Sequence, residues 1–249
     1  MSARRLLLPA LAVAVALAAA LAVLPARWLI RIVPRDWPMA VVDASGTFWN
    51  GRARLALGQP GLRRTLPDPV AWQWHWVDGV GISARISHPW LAAPLEVAPG
   101  LAGVRLGKGK AALPATALLA IGAPFNTLEP GGELALAWPA MTLGGRPPAG
   151  PLLQLTWSRA SSARVRVQPL GDYRVSLASD GGKGLDLRIQ TLQGPLRIEG
   201  AGHGSGSRWR FDGQAQPAPD TDPATRDALV PLLGTLGAYR GGVSRLQFP

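Results

Sequence analysis

After Asp36 the chain alternates apolar and polar positions. Trp72, Trp74 and Trp76 fall on one side, with Ala71, Gln73 and His75 on the other. The same period returns in Leu134/Leu136/Trp138, Leu153/Leu155/Trp157, Tyr173/Val175/Leu177, Leu185/Leu187/Ile189 and Trp209/Phe211. A period of two marks half-buried strands, because successive side chains leave opposite faces of an extended chain. The opposite positions carry Arg, Gln, Asp and Ser. Clusters such as Ser179-Asp180-Gly181-Gly182 and Gly202-His203-Gly204-Ser205-Gly206 separate the runs and read as turns. Many short strands, each with one polar face, predict a mainly β protein built on a curved antiparallel sheet that is wet on one side.

Two segments follow another pattern. Pro114 to Gly122 (PATALLAIG) and Pro223 to Gly237 (PATRDALVPLLGTLG) read as short helices. Asp222 before Pro223 is an N-cap followed by proline at the first helical position, and Pro231 is expected to kink or split the second helix. Each segment begins Pro-Ala-Thr and leads to a glycine pair that opens a strand, Gly131-Gly132 after 17 residues and Gly241-Gly242 after 18. The match suggests an internal duplication, with repeats at 36–145 and 151–249 divided by the Pro/Gly stretch Gly144 to Pro151.

The N-terminus breaks the alternation altogether. Leu6 to Leu24 is a run of 19 uncharged, almost wholly apolar residues, close to the ~20 that a helix needs to cross a bilayer. Arg4 and Arg5 precede it, Arg27, Arg31 and Arg35 follow, and Trp28 and Trp37 stand where interfacial anchors often do. A cleaved signal peptide is the rival reading, with small residues at Ala18, Ala20 and Ala22, but its apolar core is usually about 7–15 residues long. The longer run favours an uncleaved anchor. Residues 1–5 then stay in the cytoplasm, 6–24 form a transmembrane helix, and 36–249 form the β-rich domain beyond it. Both readings export the remainder.

Composition narrows the chemistry. The chain has no cysteine, so neither disulfides nor thiolate metal sites nor cysteine nucleophiles are available, and a packed core must supply stability. The net charge of +11 is nearly all arginine, the lysines being Lys108, Lys110 and Lys183. These arginines are scattered along strand-like segments such as Arg52-Ala53-Arg54 and Arg164-Val165-Arg166, without the basic runs of a nucleic-acid patch. A solvated basic face near anionic lipid is the preferred reading, and no nucleic acid is expected as a partner.

Candidate sites are few. His75, His88 and His203 have no metal-binding spacing and no carboxylate cluster beside them. The glycine run at 202–206 lacks the G-x-S-x-G frame of a nucleophile elbow, and Gly181-Gly182-Lys183-Gly184 lacks the spacing of a phosphate-binding loop. Both read as turns. No catalytic residue, metal or cofactor is expected. The tryptophan stripe either packs against the short helices or a second sheet, or lines a groove for lipid or peptide. An open edge strand is a further way to recruit a partner.

The segment Gly46-Thr47-Phe48-Trp49-Asn50-Gly51, shortly after a single N-terminal span, resembles the type II secretion system protein N (GspN) family. So do the strand of Trp72, Trp74 and Trp76, the turn Pro169-Leu170-Gly171-Asp172-Tyr173, and Gly194-Pro195-Leu196-Arg197-Ile198-Glu199-Gly200. Leu232-Leu233-Gly234 followed by Gly241-Gly242 fits as well. The resemblance implies a single-pass inner-membrane accessory protein with its bulk in the periplasm. It would support export of folded proteins through contacts with the inner-membrane platform and the outer-membrane secretin. It brings no catalytic residues. Gly46, Thr47, Trp49, Gly51, Trp72, Trp74, Trp76, Gly171 and Tyr173 would act as fold determinants, with Trp49 an aromatic anchor in the core. The alternative is a periplasmic lipid-handling module whose sheet curls around an apolar groove.

Overall fold

The computed structural model describes residues 4–28, 30, 34, 37, 39–58, 60–61, 63–121, 125–145, 147–206 and 208–248. Arg31, Arg35, Asp36, Gly122 and Ser207 therefore lie outside the described residues. The fold is mainly β with few helices, and the chain divides into two compact units, Met1–His88 and Pro89–Pro249.

The first unit begins with helix α1 (Arg4–Ala22) and a 3-10 turn (Ala26–Trp28), followed by β1 (Met39–Gly46), β2 (Asn50–Leu57), β3 (Arg64–Thr65), β4 (Val70–Val77) and β5 (Gly81–Ser87). The strands pair antiparallel in the order β1-β2-β4-β5, with β3 also beside β2. Register places Gly51, Trp72 and Ile86 in one row, with Trp74 opposite Ala84 and Trp76 opposite Ile82. The tryptophans thus share a face, as their alternation predicts. In the described part of α1 the apolar side chains are exposed, Val13, Val15, Leu17 and Leu21 each by more than half. Among the described residues no helix is long and apolar enough to cross a membrane.

The second unit holds β6 (Leu95–Gly100), β7 (Gly103–Leu106) and β10 (Met141–Leu143), which pair in the order β6-β7-β10. It also holds a nine-stranded antiparallel sheet of β8 (Gly109–Pro114), β9 (Pro130–Trp138), β11 (Gly150–Ser162), β12 (Gly171–Ser179), β13 (Gly184–Gln193), β14 (Leu196–Ser205), β15 (Arg208–Pro217), β16 (Ala238–Arg240) and β17 (Val243–Phe248). Its order is β16-β17-β15-β14-β13-β12-β11-β9-β8. The first segment predicted as a helix links the neighbouring strands β8 and β9 at one edge of this sheet, and the second links β15 and β16, which lie on either side of β17 at the other. Between β8 and β9 run a 3-10 helix (Ala115–Ile121) and the single turn α2 (Phe125–Leu128); between β15 and β16 runs α3 (Pro223–Leu236). Leu229, Leu232 and Leu233 of α3 are buried against Leu170, Leu196, Ala215 and Leu246 of the sheet side, and this cluster is the main core of the unit.

Three expectations are corrected. Proline 231 does not split its helix, which runs unbroken from Pro223 to Leu236. The carbonyl of Pro231 accepts the Thr235 hydroxyl at 3.0 Å. Gly202 to Ser205 is not a turn but the end of β14, and Arg164-Val165-Arg166 is not strand but the loop after β11, where Val165 is buried in the core.

The strand at 202–205 has a physical reason that recurs through the molecule. Gly202 pairs with Phe211 and Gly204 with Trp209 across β14 and β15. A Cβ placed on Gly204 would come 2.5 Å from the Trp209 ring, and one on Gly202 3.0 Å from Phe211. Gly109 stands under Trp138 in the same way, and Gly51 under Trp72. In each case the ring lies over the partner strand's glycine and supplies the cross-strand contact that glycine lacks.

Candidate functional site

The hairpin between β1 and β2 is the motif Gly46–Gly51, and it closes on itself. Thr47 N–H donates to the Asn50 carbonyl at 2.9 Å, and Asn50 N–H to the Thr47 hydroxyl at 3.0 Å. Gly46 has φ of +85°, a conformation that a side chain rarely tolerates. A Cβ there would also stand 2.6 Å from the Asn50 carbonyl oxygen.

Between those glycines, Phe48 and Trp49 hold the end of α1. Phe48 N–H donates to the Leu24 carbonyl at 2.7 Å, the Trp49 indole to the Leu21 carbonyl at 2.7 Å, and Pro25 bridges to Thr47. The last carbonyls of a helix have no partner within the helix, so these donors act as its C-terminal cap. Trp74 stacks on Phe48 with centroids 5.8 Å apart, its N–H donates to the Trp49 carbonyl at 2.8 Å, and the Trp72 indole donates to the Phe48 carbonyl at 2.8 Å. Gly46, Thr47, Trp49, Gly51, Trp72 and Trp74 therefore meet in one place. Trp49 is half-buried and serves as a helix clamp, not the core anchor expected from sequence. Trp76 takes no part; it is 74% exposed. Phe48 is the residue that sequence reasoning did not single out, although it joins the helix end to the stripe.

Gly171 and Tyr173 meet in the second unit. Tyr173 is buried, and its single hydroxyl hydrogen lies between two carbonyls, Leu196 at 2.9 Å and Leu170 at 3.2 Å. Leu196 N–H donates back to the Leu170 carbonyl at 3.0 Å. Gly171 and Gly194 touch backbone to backbone, so neither admits a side chain. The two segments Pro169–Tyr173 and Gly194–Gly200, remote in sequence, thus form one knot beside the α3 core. Burial, with the charge of Asp172 adding to it, pushes the Tyr173 phenol well above its usual range.

His203 and Asp186 face each other at 2.8 Å as an exposed cross-strand pair. Among the described residues no group of three or more His, Cys, Asp or Glu could hold a metal ion. Asp180 caps its own turn, accepting from the N–H groups of Gly182 and Gly184. Lys108 and Lys110 border a groove of about 470 Å³ in the second unit, walled by Trp138, Pro139, Pro151 and Leu153. The β8 edge is partly covered by the preceding segment, since Ala112 N–H donates to the Trp90 carbonyl and Ala92 N–H to that of Lys110.

Comparison with known proteins identifies a family. The family model for protein N of the type II secretion system matches residues 38–240, which spans both motif-bearing units. No curated protein matches the chain, and no solved structure does.

Proposed function

The chain belongs to the type II secretion system protein N family, and from that premise we propose that it is a membrane-anchored accessory subunit that works by contact and not by catalysis. In this reading α1 lies in the inner membrane, residues 36–249 form the periplasmic bulk, and the partners are the inner-membrane platform and the secretin. The family match carries the proposal. Two further observations support it. The apolar run Leu6–Leu24 has the length of a span, and the described part of α1 keeps its apolar side chains exposed instead of packing them on the sheet. The clamp at Phe48 and Trp49 then ties the anchor to the domain it carries. Deleting the gene is expected to leave exported enzymes in the periplasm, with secretion restored by the intact chain. Normal secretion in the deletion strain, or no secretion component cross-linked to the chain in the native envelope, would overturn the reading.

A second reading is favoured by the groove beside Trp138. Its apolar walls fit an acyl segment, and Lys108 and Lys110 suit an anionic head. Mass spectrometry of a detergent-free preparation is expected to find bound lipid if the protein handles lipid; its absence counts against this alternative alone.

A further inference from the structure

The hairpin of β4 and β5 carries apolar residues that the fold leaves uncovered. Trp76 and Ile82 are direct cross-strand partners, 74% and 39% exposed, and Val80 in the connecting turn is 37% exposed. Surface positions bearing one such residue are ordinary, but three together on one tip form a patch. Trp72 and Trp74 of the same stripe are covered by the Gly46–Gly51 hairpin, so the patch begins where that hairpin ends.

Its position gives it meaning. Trp74 lies against Phe48 and Trp49, the residues that grip Leu21 and Leu24 at the end of α1. Trp76 is two residues further along the same strand, about 7 Å beyond that clamp. The β4–β5 tip therefore projects past the β1–β2 hairpin at the end of the sheet where α1 is attached. Trp28, 52% exposed, and Arg27, also exposed, flank the same attachment. An indole at the boundary between water and hydrocarbon is well solvated at both ends, and arginine beside it suits anionic headgroups.

We infer that the β4–β5 tip is a second contact with the membrane, in which Trp76, Val80 and Ile82 enter the lipid interface beside α1. This rests on the reading of α1 as an anchor. Asp78, exposed in the same turn, limits the depth, because a carboxylate stays at headgroup level. The tip thus rests in the interface and does not cross it. One helix leaves a domain free to tilt about its tether, whereas a helix and a neighbouring tip fix the orientation of the sheet on the bilayer.

The absence of cysteine makes the test direct. Single substitutions Val80→Cys, Leu17→Cys and Ser87→Cys would be placed in the full chain, labelled with a nitroxide, and reconstituted in phosphatidylethanolamine/phosphatidylglycerol vesicles. Greater accessibility to oxygen than to a water-soluble nickel complex reports contact with lipid. The expected result is lipid contact at positions 17 and 80 and water contact at 87, with loss of the signal at 80, not at 17, when Trp76→Ser and Ile82→Ser are added. Lipid contact at 17 with water at 80 overturns the tip contact and leaves the anchor standing. Lipid at 80 with water at 17 keeps the tip contact and overturns the anchor. Water at both overturns both.

Discussion

Gly51 shows how the glycines and tryptophans of this chain depend on one another. Its missing Cβ leaves room for the Trp72 ring, and a methyl group there would stand 2.6 Å from that ring and 2.7 Å from the Ser45 carbonyl. Gly51→Ala is expected to destabilise the protein by about 1–3 kcal/mol through overpacking, read as a lower urea midpoint. Gly234, exposed in α3 with open space around it, should do the reverse; Gly234→Ala should stabilise by roughly 0.5–1 kcal/mol by removing backbone freedom from the unfolded chain. Tyr173 has its own signature. Its folded-state phenol is raised, so its contribution is whole below about pH 10 and is lost as pH rises toward the folded value. Tyr173→Phe is expected to cost about 1–2 kcal/mol near neutrality. Because the variant has no phenol to ionise there, it should lose less stability than wild type between about pH 8 and pH 11 in paired urea titrations. The sequence showed these residues as landmarks. It did not show that each glycine lies beneath a ring, because that depends on register between strands up to 29 residues apart, as for Gly109 and Trp138.

Strands and helices were legible to different degrees. Each alternating run became a strand, since a period of two is local and needs no partner to be read. The glycine-rich segment 202–205 was misread because turn propensity is also local, while the rings that hold it extended arrive from β15. Pro114–Gly122 was expected as one helix and became a 3-10 helix. Helix α3 followed its signals closely, with Asp222 accepting from the Thr225 N–H at 3.0 Å and Pro223 at its start. Hydrogen bonds from Thr225, side chain first and then backbone, hold the Asp222 carboxyl below its usual range. That stability is present above the unfolded carboxylate range and is lost as pH falls through the folded value. Asp222→Ala should loosen α3, seen as faster amide exchange at 225 and 226. Asp222→Asn should keep the cap and remove its dependence on acid.

At the scale of the molecule the two units are stabilised very differently. Among the described residues of Met1–His88 the buried hydrophobic ones are Ala26, Ala53, Ala56 and Ala84, whereas Pro89–Pro249 buries Leu134, Leu170, Tyr173, Leu196, Leu229 and Leu233. Buried area drives folding, so the larger side chains give the second unit most of its stability. A fragment of residues 89–249 is expected to unfold cooperatively in urea with its near-ultraviolet dichroism intact, while residues 1–88 alone are not. The reverse outcome would show that the alanine-lined sheet is the more stable unit. The alternating pattern did not reveal this division, because it reports which residues turn inward and not what they meet there. The nine-stranded sheet also has a feature with a consequence beyond its own stability. Strand β16 is three residues long, exposed throughout, ends in Arg240, and pairs with only Val243–Arg245 of β17. A short charged rim is a poor template for another chain's backbone. Copies of this protein crowded at high local concentration therefore gain little from pairing at this rim.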